Sequence, residues 1–105
     1  MCWFFRKKLD INKEIKKYEE TENAVLIDVR RKEEYKTGYI MDAINVPLDE
    51  IERVVDVIKD KDTPVFAYCL GGVRSRMALE KMAKMGYTNL TNIGGTKDYK
   101  GKFNK

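Results

Sequence analysis

The sequence predicts an α/β domain with a mostly parallel central sheet flanked by helices, and three observations predict it. Apolar runs stand at residues 24–27 and 65–68, as expected of parallel strands covered on both faces, and 43–46 and 90–93 read as two further short strands. Amphipathic stretches of helical spacing lie between them, joined by short connections, the pattern of alternating strands and helices. The run at 65–68 leads directly into Cys69, with Gly71, Gly72 and Arg74 just behind. That places chemistry at a strand's carboxyl end, where open sheets of this class bind ligands. Right-handed crossovers are the expected connection. At 105 residues the chain holds one core and one domain, with no internal repeat, low-complexity segment or linker.

Each element follows from its residues. Ile11, Ile15 and Tyr18 recur at helical spacing with charges between them, so 12–20 reads as an amphipathic helix with Asn12 as its N-cap. Ala24, Val25, Leu26 and Ile27 form the first strand. Residues 31–37 read as one or two helical turns stopped by Gly38. Residues 43–46 make a second short strand closed by Pro47, after which Leu48, Ile51, Val54, Val55 and Ile58 form a helical stripe. The third strand is 65–68. Behind it a helix is expected over 75–85, with Leu79, Met82 and Ala83 on its core face and Met77, Met82 and Met85 as core filler. Gly86 ends that helix, and 90–93 is the last strand.

The segment Cys69-Leu70-Gly71-Gly72-Val73-Arg74-Ser75 carries the strongest chemical signal. Two glycines let the backbone curl so that successive N–H groups point inward, forming an anion-binding nest. The helix behind adds the positive end of its dipole. A thiol in such surroundings is acidified, which makes Cys69 a candidate nucleophile. A cysteine that serves only as a small buried hydrophobe needs neither the flexible loop nor the guanidinium five positions on.

Composition narrows the alternatives. The chain has no histidine, which removes a Cys–His dyad and any His-ligated zinc site, and its two cysteines cannot build a Cys-only one. No metal and no cofactor is expected. Whatever activates Cys69 must be backbone, helix dipole or arginine. Cys2 and Cys69 lie too far apart in sequence to suggest a disulfide framework, and Cys2 is read as incidental. No apolar run approaches the ~18 residues that span a bilayer. Met1, Trp3, Phe4 and Phe5 precede Arg6, Lys7 and Lys8, the reverse of a signal peptide. They read as an apolar patch docking on the domain, and a cytoplasmic address is expected. The net charge of +4 is modest, and both signs are interleaved. Lys97, Lys100, Lys102 and Lys105 near the end read as a solvated, frayed terminus rather than a nucleic-acid surface.

The loop is similar to that of the rhodanese-like domains, in which a cysteine opens C-x-x-x-x-R followed by a small residue. Further signatures support the resemblance: Asp28-Val29-Arg30, Glu34-Tyr35, Gly38-Tyr39-Ile40, Ala43-Ile44-Asn45-Val46-Pro47, and the pair Gly94-Gly95 with Tyr99. Tyr39 replaces the usual histidine and Tyr99 the commoner tryptophan; both read as packing or surface changes. The resemblance implies residues 1–11 as an N-terminal extension, 12–99 as the rhodanese-like domain and 100–105 as a basic tail. It also implies a scaffold role for Asp28, Arg30 and Glu34. Arg30 and Glu34 stand at i, i+4 spacing, fit for an ion pair.

A sulfurtransferase is the activity the resemblance implies, carrying sulfane sulfur as a persulfide on Cys69. The donor is thiosulfate, polysulfide or a protein persulfide, and the acceptor a thiol or cyanide. Arg74 is expected to bind the anionic donor. The N–H groups of Leu70, Gly71, Gly72, Val73, Arg74 and Ser75 are expected to cradle the persulfide, with Ser75 donating a hydrogen bond or capping the helix. Arg74 is the only charge in the loop, with Arg76 just past it, so the donor stays open, as do the acceptor and the pathway. A monomer is expected, without membrane contact. The rival readings are a phosphatase or arsenate reductase of the same fold, a non-catalytic binding module, and a redox or persulfide sensor. Phosphatase loops of that fold are one residue longer, so the four residues between Cys69 and Arg74 favour sulfur. Retention of both cysteine and arginine favours an enzyme.

Overall fold

The computed structural model of the protein describes residues 9–105; the apolar start and Cys2 lie outside the described residues. Four strands form a parallel sheet in the order β3-β1-β4-β5, where β1 is Val25–Asp28, β3 Ile44–Asn45, β4 Val65–Cys69 and β5 Leu90–Gly95. The α/β class and parallel sheet expected from the sequence are what the chain adopts. β4 lies inside the sheet and all five of its residues are buried. Its side chains alternate between two cores. Val65, Ala67 and Cys69 face Ile27, Val29, Ile51, Val54, Leu79 and Met82. Phe66 and Tyr68 face Ile11, Ile15, Leu26, Ile40 and Ile93. Removing such an aliphatic side chain from water stabilises by about 1.5–3 kcal/mol.

Helix α1 (Ile11–Glu20) covers the second core through Ile11 and Ile15. Its N-cap is Asp10 rather than Asn12, the Asp10 carboxylate accepting the Asn12 N–H at 3.0 Å. An aspartate two positions earlier does the capping, and the Asn12 side chain is freed for another contact. It donates to the Asp98 carbonyl at 3.0 Å and accepts the Lys100 N–H at 2.8 Å, tying α1 to the chain's end. α2 (Lys32–Lys36) stops before Gly38 as expected. The stripe after Pro47 is a 3-10 helix, Leu48–Arg53, running into the single turn α3 (Val54–Val57). Glu50 breaks the helical backbone there. Ile51, Val54 and Ile58 stay buried, whereas Val55 is exposed.

α4 (Val73–Lys84) starts two residues before the expected 75, because Gly72 turns the chain with φ +106° and so serves as its N-cap. Leu79 and Met82 are buried, but Ala83 and Met77 are exposed, so Met77 does not fill the core. Residues 103–104, expected to fray, form a short strand, β6 (Phe103–Asn104), antiparallel to β2 (Tyr39–Ile40). The Asn104 amide donates to the Met41 carbonyl and Phe103 meets Tyr99 edge-on at 5.1 Å. Neither two-residue strand carries an apolar run long enough to read in advance. No helix among the described residues is long and apolar enough to cross a membrane.

Where β1 ends, a buried ion pair fixes the chain. Asp28 accepts the Arg30 N–H at 2.9 Å and its guanidinium at 2.7 Å, and Arg30 also donates to the Gly38 carbonyl at 2.7 Å. Arg30 thus pairs with Asp28 and not with Glu34, contrary to the helical spacing. Arg30 precedes the first turn of α2, so that spacing never forms. Asn45 adds bonds from its amide to the carbonyls of Asp28 and Arg30, at 2.9 and 3.0 Å. Asp28→Ala strands a buried guanidinium and is expected to cost about 3–5 kcal/mol. Urea unfolding checks it; a loss under about 1 kcal/mol would mean that Arg30 relaxes to water.

Candidate active site

Cys69 ends β4, and its sulfur lies on the floor of the loop, the residue only 1% exposed. The Gly72 N–H donates to Sγ at 2.9 Å and the Ser75 hydroxyl lies 3.5 Å away. The backbone N–H groups of Gly71 and Ser75 also favour the charged sulfur. Burial pushes the thiol up, but the Ser75 hydroxyl and these three N–H groups outweigh it, and the thiol is more acidic than an ordinary cysteine. Leu70 and Val73 turn their side chains outward, 48% and 60% exposed.

Two features hold the ring. Gly95 pairs with Cys69 across the sheet, and a Cβ at Gly95 would lie 1.9 Å from the Leu70 carbonyl oxygen. Only glycine lets the loop pass so closely. The second is Asn92 of β5, which the sequence reading missed. Its Oδ1 lies 2.8 Å from the Ser75 hydroxyl and accepts the Gly94 N–H at 3.1 Å, while its Nδ2 donates to the Gly72 carbonyl at 3.0 Å. An asparagine within a strand, where that residue type is disfavoured, is the one signal that marked it.

Arg74 does not reach for the sulfur. Its guanidinium makes a two-armed pair with Glu34, 2.7 and 3.0 Å, across 40 residues of sequence. Hydrogen bonding from Arg74, aided by the Arg31 N–H, pulls the Glu34 carboxyl down to about 2. Of the residues expected to support the site, Asp28 and Arg30 lie in the buried pair under the loop, and Glu34 braces Arg74. Among the described residues, no group of three or more His, Cys, Asp or Glu gathers as a metal site.

The family model of the rhodanese-like domain matches residues 12–102. The chain belongs to the rhodanese-like family. It is 44% identical over 73 residues to the thiosulfate sulfurtransferase PspE of Escherichia coli, an alignment covering 69% of this chain and 70% of that protein. It is also 34% identical over 88 residues to a tRNA uridine(34) hydroxylase of Buchnera aphidicola, covering 79% of this chain but only 28% of that protein. Among solved structures, a rhodanese with anions from E. coli superposes with a TM-score of 0.73 at 40% identity, covering 78% of this chain and 98% of that one. This rhodanese-like chain therefore shares its domain with proteins of more than one activity.

Two outcomes are expected of the site's electrostatics. Ser75→Ala removes one donor from the sulfur and raises the thiol pKa, read from the pH dependence of alkylation; an unmoved profile would assign the acidity to the backbone alone. Glu34, lowered in the folded state, contributes stability that is present above its ordinary 4.5 and lost as pH falls towards about 2. Glu34→Gln should flatten the stability profile across that window, and acid titration of both proteins measures it. The effect is small because the pair is partly solvated.

Proposed function

We propose that this chain is a sulfurtransferase that carries sulfane sulfur as a persulfide on Cys69. The observation that carries the reading is the sulfur itself: it ends a buried strand, accepts the Gly72 N–H at 2.9 Å and is acidified by the groups around it. The likeness to a protein named thiosulfate sulfurtransferase supports it.

The Cys69 thiolate attacks the outer sulfur of thiosulfate. One S–S bond forms as the other breaks, and sulfite departs with the electron pair. The product, Cys69–S–S⁻, keeps the negative charge within the ring of Gly71, Gly72 and Ser75 donors. Those donors are oriented before the reaction, so they stabilise the anion without reorganising. With inorganic disulfide as donor, HS–S⁻, the same attack releases HS⁻. Cyanide then takes the terminal sulfur as thiocyanate and returns the thiolate, a two-step covalent course with ping-pong kinetics. No proton transfer is needed at the nucleophile, which fits a chain without histidine. Arg74 neutralises the Glu34 carboxylate at the edge of the ring, so the incoming donor meets no bare negative charge there.

Intact-protein mass spectrometry after brief exposure to thiosulfate or polysulfide tests the proposal. A gain of one sulfur atom, removed by cyanide and absent in Cys69→Ser, is the expected result. No gain from either donor would overturn it. Arg74→Ala removes the cation and leaves the Glu34 carboxylate uncompensated beside the loop, so transfer should slow roughly ten- to a thousandfold.

A further inference from the structure

The free positive charge at the mouth of the loop does not come from Arg74. Its guanidinium is spanned by the Glu34 carboxylate, and an incoming anion meets a neutralised pair. A second cation stands beside Gly71. Lys97 lies in the short 3-10 turn Thr96–Asp98 directly behind β5. Its backbone N–H donates to the Leu70 carbonyl at 3.2 Å, which ties it to the loop, and its neighbour Thr96 is buried. The side chain hangs over Gly71: a Cβ at Gly71 would lie 3.8 Å from Lys97 Cε and 3.9 Å from Nζ. The residue is exposed, and among the described residues no carboxylate pairs with it.

We propose that Lys97 is a donor-binding residue whose ammonium receives the sulfonate end of thiosulfate while the sulfane sulfur descends to Cys69. The inference rests on the persulfide reading above and deepens it. The next N–H along the loop, that of Gly72, donates to the sulfur, and the open side of Gly71, where a side chain would stand, faces the Lys97 ammonium. A two-ended dianion matches that arrangement. Its sulfane end needs the N–H ring, and its sulfonate end needs a cation outside it. As the S–S bond breaks, the charge gathers on sulfite, which leaves past the same ammonium. A flexible, strongly hydrated point charge suits a group that must be held and then released. Inorganic disulfide has no sulfonate and gains little from Lys97.

The test compares loading of Cys69 from thiosulfate and from inorganic disulfide in the wild-type chain and in Lys97→Gln, Lys97→Arg and Lys97→Glu. The ratio of the two loading rates, thiosulfate over disulfide, should fall roughly three- to tenfold in Lys97→Gln, as expected for loss of one solvated charge-assisted contact. It should fall further in Lys97→Glu and be largely kept in Lys97→Arg. Inhibition by sulfite should weaken in parallel. Unchanged unfolding midpoints confirm that the turn is intact. A ratio and a sulfite inhibition that stay at wild-type values in Lys97→Gln and Lys97→Glu overturn the role of Lys97 and leave the persulfide chemistry standing. A wild-type chain loaded from disulfide but not from thiosulfate overturns the role of Lys97 alone, and a chain loaded from neither donor overturns both.

Discussion

The close passage of two backbones decides the rest of this molecule. The active loop leaves β4 at Cys69 and must turn immediately, and the space it turns through is the space a side chain at position 95 would fill. The register makes that passage possible. Ala67 pairs with Asn92, but Tyr68 pairs with Gly94 and Cys69 with Gly95, so Ile93 is an extra residue in β5. This bulge turns Ile93 into the core on the α1 side and delivers both glycines to the loop. Without it, Tyr68 would pair with Ile93 and Cys69 with Gly94, and Gly95 would no longer stand opposite Cys69. The paired glycines therefore have a steric reason that is separate from any contact with substrate.

Charge is arranged in two tiers around that passage. The lower pair, Asp28 and Arg30, is almost wholly buried and binds the end of β1 to Gly38. Its charges are compensated within the pair, so it acts on the loop by holding backbone. The upper pair, Glu34 and Arg74, is about 30% exposed on both sides and lies at the edge of the ring. Glu34 has a second task, accepting the Arg31 N–H at 2.9 Å at the start of α2. One carboxylate thus links the first turn of α2 to the first turn of α4, and Arg74 stays where α2 puts it.

Much of this was legible in the sequence, for identifiable reasons. β1 and β4 were readable because a parallel sheet covered on both faces favours unbroken apolar runs, as at 24–27 and 65–68. The loop was readable because a cysteine, two glycines and an arginine are adjacent in sequence. The Glu34–Arg74 pair was not, because its partners are 40 residues apart and Glu34 had a nearer cation in Arg30. Local spacing favoured that neighbour; the fold gave Arg30 to Asp28 instead. Asn92 and Lys97 were hidden for a similar reason. Each acts on the loop from β5 or the turn behind it, and nothing in the sequence of either says that the loop lies across the bulge. The strand β6 escaped notice because its pairing depends on β2, itself only two residues long.

Depth separates what the two halves of the site can do. The sulfur is 1% exposed, so the donors around it act in a medium with little water to compete. Burial alone would hold the thiol neutral; it becomes acidic because those donors are already aimed at it. Such short, enclosed hydrogen bonds feel little salt. Lys97 stands in solvent, where its attraction for an anion is screened within about 10 Å at ordinary ionic strength. Under the proposed chemistry the floor of the loop sets the reactivity of the sulfur and the mouth sets which donor reaches it. Evolution can then alter the mouth, through residues such as Lys97, without disturbing the floor that Gly72, Ser75, Asn92 and Gly95 hold in place.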